Sequence, residues 1–353
     1  MVNAGSAFHC GPRGDLLNAS VLSDDPAVNL QLGLGVELAV LPPYLYALWS
    51  IKPSADGASD AAVEAARTIR AVAYEEMLHA ALVGNVLNAL GAPPRVTRFL
   101  MTYPGPLPGH TTKPPYAYDV GLGPLSPATV ETFMRIELPE WDEVKAPSPD
   151  ANGRWITIGQ FYDTVEEQLR ELGAGAFRNG RQLPLGDNPG PGRLVDVVDL
   201  PSALEAIATI VDQGEGHKPK SLNPSDRPSS EDDDDHEVAH YYQFKTIATY
   251  FKTRLLDAER DVYPVISNPD AARYTPEQQA ANTQFNTVYT ALLNSLQTMF
   301  TSDSPRAFGE PAKLMTQLTH LAAVLRGCGD VPGTAFVAGP TFEYLGAPSG
   351  GRP

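Results

Sequence analysis

Two Glu-x-x-His pairs, Glu76-Met77-Leu78-His79 and Glu237-Val238-Ala239-His240, stand far apart in the chain, each within a stretch of helical apolar spacing. On a helix, residues three apart point about 60° from one another, so a Glu and a His so placed can face one metal ion. An unpaired charge is costly to bury, so a fold that takes these groups inside must give them partners. Two such pairs, joined by one glutamate from each of two further helices, form the ligand set of a two-metal carboxylate centre in a four-helix bundle. The pattern therefore predicts an all-α fold whose helices converge on one interior point.

The apolar periodicity supplies the helices. The first spans 26–50, with Leu30, Leu34, Leu38 and Leu41 on one face and Glu37 in phase with them. Glu37 is the only acidic residue between Asp25 and Asp56. Pro42-Pro43 removes backbone donors and predicts a bend just past Glu37. The second helix spans 61–90, with Ile69, Val72, Glu76, His79, Val83 and Val86 in its stripe, and stops at Gly91 before Pro93-Pro94. A long Pro-rich connection, 92–154, follows, interrupted by a short helix that Ser126 and Pro127 would start. The third helix, 156–172, carries Ile158, Phe161, Val165 and Leu169. Its acidic candidates are Glu166, about 100° from the stripe centre, and Glu167, about 160° away, so Glu166 is the expected ligand.

The fourth helix starts near Pro201, where Ser202 and Glu205 fit a capping box, and reaches Gly214-Glu215-Gly216. A polar stretch, 217–235, ends in Asp232–Asp235, a run best read as solvated. Helical spacing resumes near His236 and continues to Leu255, as one interrupted helix position or as two successive helices. Glu215 is in phase with the inward face, so it either replaces Glu237 as a ligand or orients one. Two more helices follow, from Pro276 and beyond Pro305. The expected organisation is an N-terminal segment, 1–25, a metal-binding bundle, 26–260, and C-terminal helices and tail, 261–353, packed on it.

The expected ligands are Glu37, Glu76, His79, Glu166, Glu237 or Glu215, and His240. Carboxylates with imidazoles suit iron or manganese. The expected cofactor is two iron ions, with a manganese or mixed pair as the variant, and dioxygen as co-substrate. Tyr44, Trp49, Tyr162 and Tyr242 are candidates to line a substrate pocket, and each is equally explained as core. A net charge of −16 argues against nucleic-acid and anionic-membrane partners. Cys10 and Cys328 form neither a disulfide framework nor a thiolate site. No signal peptide and no charge-free bilayer span is read, so a reducing cytoplasm is the expected compartment.

Several segments carry a resemblance in order. They are Glu37-Leu38-Ala39 with Leu41-Pro42-Pro43-Tyr44-Leu45, Glu75-Glu76-Met77-Leu78-His79, Tyr103-Pro104-Gly105-Pro106-Leu107-Pro108-Gly109 and Ile136-Glu137-Leu138-Pro139-Glu140. Ile158-Gly159-Gln160-Phe161-Tyr162 with Glu166-Glu167, Gln213-Gly214-Glu215-Gly216 and His240-Tyr241-Tyr242-Gln243-Phe244 complete the set. Together, over roughly Leu30 to Leu255, the chain resembles the ferritin-like domain of iminophenyl-pyruvate dimer synthases. The resemblance implies a ferritin-like four-helix bundle with a long crossover, additional C-terminal helices and a non-haem metal site. Named members of that family act in violacein and indolocarbazole biosynthesis, coupling two imines derived from aromatic 2-oxo acids. The violacein-type member is much longer than this chain. The function so implied is a di-metal, oxygen-dependent oxidase or oxygenase of secondary metabolism. Its substrate would be a small amino- or imino-acid derivative, and its partner a second copy or a pathway enzyme. The competing reading is a ferritin-like metal-handling or storage protein without an organic substrate.

Overall fold

A computed structural model of the chain describes residues 22–139, 154–178, 180–183, 194–215, 238–302 and 309–346. Among them the regular structure is helical, with β pairing confined to isolated bridges.

The first helix, α1 (Pro26–Ser50), is capped by the Asp25 carboxylate, which accepts from the Ala27 N–H at 2.9 Å. It runs as one helix through Pro42 and Pro43. Pro43 leaves the Ala39 carbonyl without its helical donor, and the Tyr103 hydroxyl fills that place at 2.6 Å. By length and composition α1 could cross a membrane, contrary to the expectation that no stretch could. It is instead the core helix, buried on nearly every side by the rest of the bundle.

The chain turns back into α2 (Asp60–Ala89), capped by Ser59. It closes at Gly91, whose φ of 74° suits the left-handed stop, with Gly91 N–H bonded to Asn88 O and Ala92 N–H to Leu87 O. In the connection that follows, Ser126 caps the short α3 (Pro127–Ile136), as its sequence predicts. Thr157 caps α4 (Ile158–Leu172), and α5 (Leu200–Glu215) follows. The expected cap Ser202 lies inside the first turn of α5, where its N–H bonds the Asp199 carboxylate at 2.9 Å. Helices α1, α2, α5 and α4 pack around one another as the four-helix bundle.

The next helix, α6 (His240–Lys252), starts at His240 with Ala239 as its N-cap, later than the sequence spacing suggests. It is a helix separate from α5; it packs on α3 and touches α2 and α5, so that α3 and α6 close one side of the bundle. A single turn, α7 (Ala258–Asp261), ties back to the start of α2: Asp261 accepts from the Ser59 N–H and hydroxyl, both at 2.9 Å. The hairpin of α8 (Pro276–Thr301) and α9 (Gly309–Gly327) packs on the same core, with Phe285, Phe300 and Leu318 continuous with Leu30 and Val83. Gly84 permits that contact, since a Cβ there would lie 2.2 Å from the Phe300 ring.

Candidate metal centre

Five titratable side chains meet in the bundle interior: Glu37 of α1, Glu76 and His79 of α2, Glu137 at the C-cap of α3, and His240 at the start of α6. All are buried, from 0% exposure at His240 to 6% at Glu137. They form two triads, Glu37–Glu76–His79 and Glu76–Glu137–His240, which share Glu76. One Glu76 oxygen, Oε2, lies 3.5 Å from His79 Nδ1, and the other, Oε1, lies 3.1 Å from His240 Nδ1. His79 Nδ1 is 3.7 Å from Glu37 Oε2, and His240 Nδ1 is 3.4 Å from Glu137 Oε2. The two imidazoles lie nearly parallel, 5.8 Å apart.

The surroundings fix each group. The Tyr162 hydroxyl donates to Glu37 Oε1 and the Tyr44 hydroxyl to Glu137 Oε1, which leaves Oε2 of each carboxylate facing a histidine. Behind the rings, His79 Nε2 lies 2.9 Å from Gln213 Oε1, and His240 Nε2 lies 2.6 Å from Glu75 Oε2. Each Nε2 thus donates outward, which leaves Nδ1 facing the carboxylates.

This donor set fits a pair of hard-to-borderline cations. Ligand atoms 2.0–2.2 Å from an ion sit roughly 3.0–3.4 Å from one another. The Nδ1–oxygen separations fall at or just above that range. His240 Nδ1 is buried and, among the described residues, has no hydrogen-bond partner, although two carboxylate oxygens stand near it. Such an orphan is what a group aimed at an ion between them would show.

The charges are held in tension. Burial raises the Glu37 carboxyl to about 8, against the opposing pull of His79. Burial likewise raises Glu137. Glu76 is pushed up by burial, but the neighbouring imidazoles of His240 and His79 outweigh it and hold it below the usual carboxylate range. Burial disfavours charge on His79, yet Glu37 and Glu76 lift it to about 10. His240 is raised in the same way by Glu137, Glu75 and Glu76. Protons therefore occupy the interior as counter-charges, and a metal pair would compete with them for the same carboxylates.

Of the expected ligands, Glu37, Glu76, His79 and His240 are brought together. Glu166 is not: it lies on the outer side of α4, a third exposed, and pairs with Arg170 one turn on. The inward face of α4 consists of Phe161, Tyr162, Val165 and Leu169, and Tyr162 is its contribution to the centre. Glu215 is the last residue of α5, and Glu237 lies outside the described residues. The residues missed are Glu137, Glu75 and Gln213. Their signal was faint: Glu137 ends a short helix just ahead of Pro139, Glu75 adjoins a ligand, and Gln213 precedes Glu215 by two.

Of the aromatic candidates, Tyr44 and Tyr162 brace the carboxylates. Tyr242 is buried on α6, its ring 5.0 Å from that of Tyr241. Trp49 lies beside a different cleft with Arg326, where it stacks on Phe342 at 5.8 Å. A narrow cleft with about 20 Å³ of free space between α4 and α5 does reach the centre. Its walls are Leu138, Ile158, Ile210 and Val211, and Glu137 and Tyr162 also line it, one from each half of the cluster. Gly214 borders it, and a Cβ there would meet nothing within 4 Å among the described residues.

Residues 30–249 match the family described as ferritin-like. The chain is 30% identical over 218 residues to 2-imino-3-(indol-3-yl)propanoate dimerase of Chromobacterium violaceum, a match covering 54% of this chain and 21% of that protein. It is 27% identical to dichlorochromopyrrolate synthase of Lentzea aerocolonigenes, over 89% of this chain and 35% of that protein. The chain thus spans between a fifth and about a third of the length of these curated relatives. Among solved structures, a ferritin-like protein from Caulobacter vibrioides matches with a TM-score of 0.63 at 27% identity, over 87% of this chain and 96% of that one.

Proposed function

This chain belongs to the ferritin-like family, and on that premise we propose that it is a non-haem di-metal, oxygen-dependent oxidase of secondary metabolism. Its substrate is a small amino- or imino-acid derivative, and its reaction is of the imine-coupling kind. The observation that carries the reading is the pair of buried Glu/Glu/His triads sharing Glu76. The names of the two curated relatives, an imine dimerase and a chromopyrrolate synthase, support the substrate class.

In this reading Glu37, His79 and Glu76 would hold one ion, and Glu137, His240 and Glu76 would hold its neighbour. A further carboxylate, from Glu215 or Glu237, completes the set. Iron fits these ligands, and manganese fits them nearly as well. When bound, two redox-active ions supply paired one-electron acceptors, as joining two imines with loss of two electrons and two protons requires.

The protein's own groups do the rest. Glu76 fixes the spacing of the two positions, because its oxygens face opposite ways. Tyr162 and Tyr44 hold the terminal carboxylates with one oxygen each, and their hydroxyl protons lie at the centre for exchange with Glu37 and Glu137. In this reading the substrate's hydrophobic side chain approaches along the apolar walls of the narrow cleft between α4 and α5, which keep water from the centre.

The test loads the metal-free protein with ferrous iron under anaerobic conditions and admits air with a 2-imino-3-arylpropanoate generated in place from the amino acid. Oxygen uptake that depends on the imine, with a coupled dimer as product, is expected. Iron loading without any imine-dependent oxygen uptake or product would favour the metal-handling alternative.

A further inference from the structure

The two halves of the centre are near mirror images. Each has a terminal carboxylate braced by a tyrosine hydroxyl, a histidine Nδ1 and one oxygen of Glu76. They differ behind the imidazoles. His240 hands its Nε2 proton to a carboxylate, Glu75, at 2.6 Å; His79 hands its own to an amide, Gln213, at 2.9 Å. Both partners are buried, Glu75 at 3% and Gln213 at 4% exposure, so solvent does not screen the difference. Adjacent residues on a helix point about 100° apart. Glu76 can therefore enter the centre from α2 while Glu75 stands behind His240.

A charged acceptor draws the N–H proton of an imidazole outward and makes its other nitrogen a stronger donor, and an amide does this weakly. Glu75 also adds a negative charge to the half that already holds Glu76 and Glu137. We propose that the two cation positions are inequivalent and fill in order. The position between Glu76, Glu137 and His240 takes a divalent ion first and more tightly, and Glu75 is the residue that sets the order. This rests on the di-metal reading of the cluster above. Glu75 and Gln213 act as positioning residues, through the histidines they hold.

The test titrates the metal-free full chain with Mn²⁺, followed by electron paramagnetic resonance of the free ion and by calorimetry. The wild type is expected to bind one ion in each of two classes, with affinities at least about tenfold apart. Glu75→Gln gives His240 the kind of partner that His79 has. It should weaken the tighter class about 10–100-fold and leave the weaker one in place. Gln213→Glu should tighten the weaker class, and it keeps the test decisive should Glu75→Gln fail to fold. Heat unfolding of each variant without metal separates lost affinity from lost structure. Two ions binding in a single class, or a folded Glu75→Gln protein with its tighter class unmoved, would overturn the order alone. Binding of fewer than two ions would overturn the di-metal reading and the order with it.

Discussion

Glu76 is the one side chain common to both triads, so a single conservative change there should act on both at once. In Glu76→Gln the volume is kept, but the charge that faces His79 at 3.5 Å and His240 at 3.1 Å is gone. Removing one partner from a buried charge pair costs about 3–5 kcal/mol. The amide oxygen still accepts a hydrogen bond, so the lower end, about 3 kcal/mol, applies to the metal-free protein. At about 2 °C per kcal/mol for a chain of this size, the unfolding midpoint should fall by about 6 °C. The effect on metal should be greater, because a neutral amide with one donor oxygen cannot serve two ions. Iron content should fall from two ions per chain to none, whereas Glu37→Gln should lose one ion and keep the other. Differential scanning calorimetry of the metal-free proteins and colorimetric iron analysis after desalting read both effects. A Glu76→Gln protein that keeps two ions and the wild-type midpoint would refute the shared-ligand reasoning.

Gly214→Phe should fill the cleft between α4 and α5 without a clash at the backbone; the KM for a bulky aryl imine should rise more than about tenfold, the order expected from blocking an apolar pocket, while iron content stays the same. Glu166→Gln should change stability by less than about 0.5 kcal/mol, as the loss of an exposed pair one turn apart with Arg170 does, and should leave two ions bound. His110, buried between Tyr118 and Trp155, is held down to about 4 by burial, against a usual value of 6.5. The unfolded chain therefore binds the proton more readily than the folded one between those values, and stability should fall by about 3 kcal/mol as pH drops from 6.5 to 4. His110→Gln keeps an amide donor for the Ile156 carbonyl but removes the titrating ring, and should flatten this part of the pH profile in urea unfolding.

The helices of the bundle were legible because their apolar stripes are long and their ends are marked by strong caps. Ser126, Gly91 and Pro276 each stand where a helix starts or stops. Glu37, Glu76 and His79 were legible for the same reason, since regular helical phase carries them inward. Phase failed where the ligand is not set by a long helix. Glu137 sits at the C-cap of a three-turn helix, and its direction depends on how α3 meets α6. His240 is the first residue of α6, so its direction depends on where that helix starts. On α4 the periodicity was real, but Glu166 lay too far from the stripe, and a tyrosine took the inward place. The partners of the histidines, Glu75 and Gln213, depend on tertiary packing alone. Their spacing carries no pattern that would single them out.

Anomalous diffraction from crystals soaked in Mn²⁺ addresses the centre most directly. Two peaks about 3.5–4 Å apart are expected, one beside Glu37 and His79, the other beside Glu137 and His240, with the Glu76 carboxylate between them. A protein that binds no ion in the bundle interior, or a lone peak away from Glu76, would contradict the account.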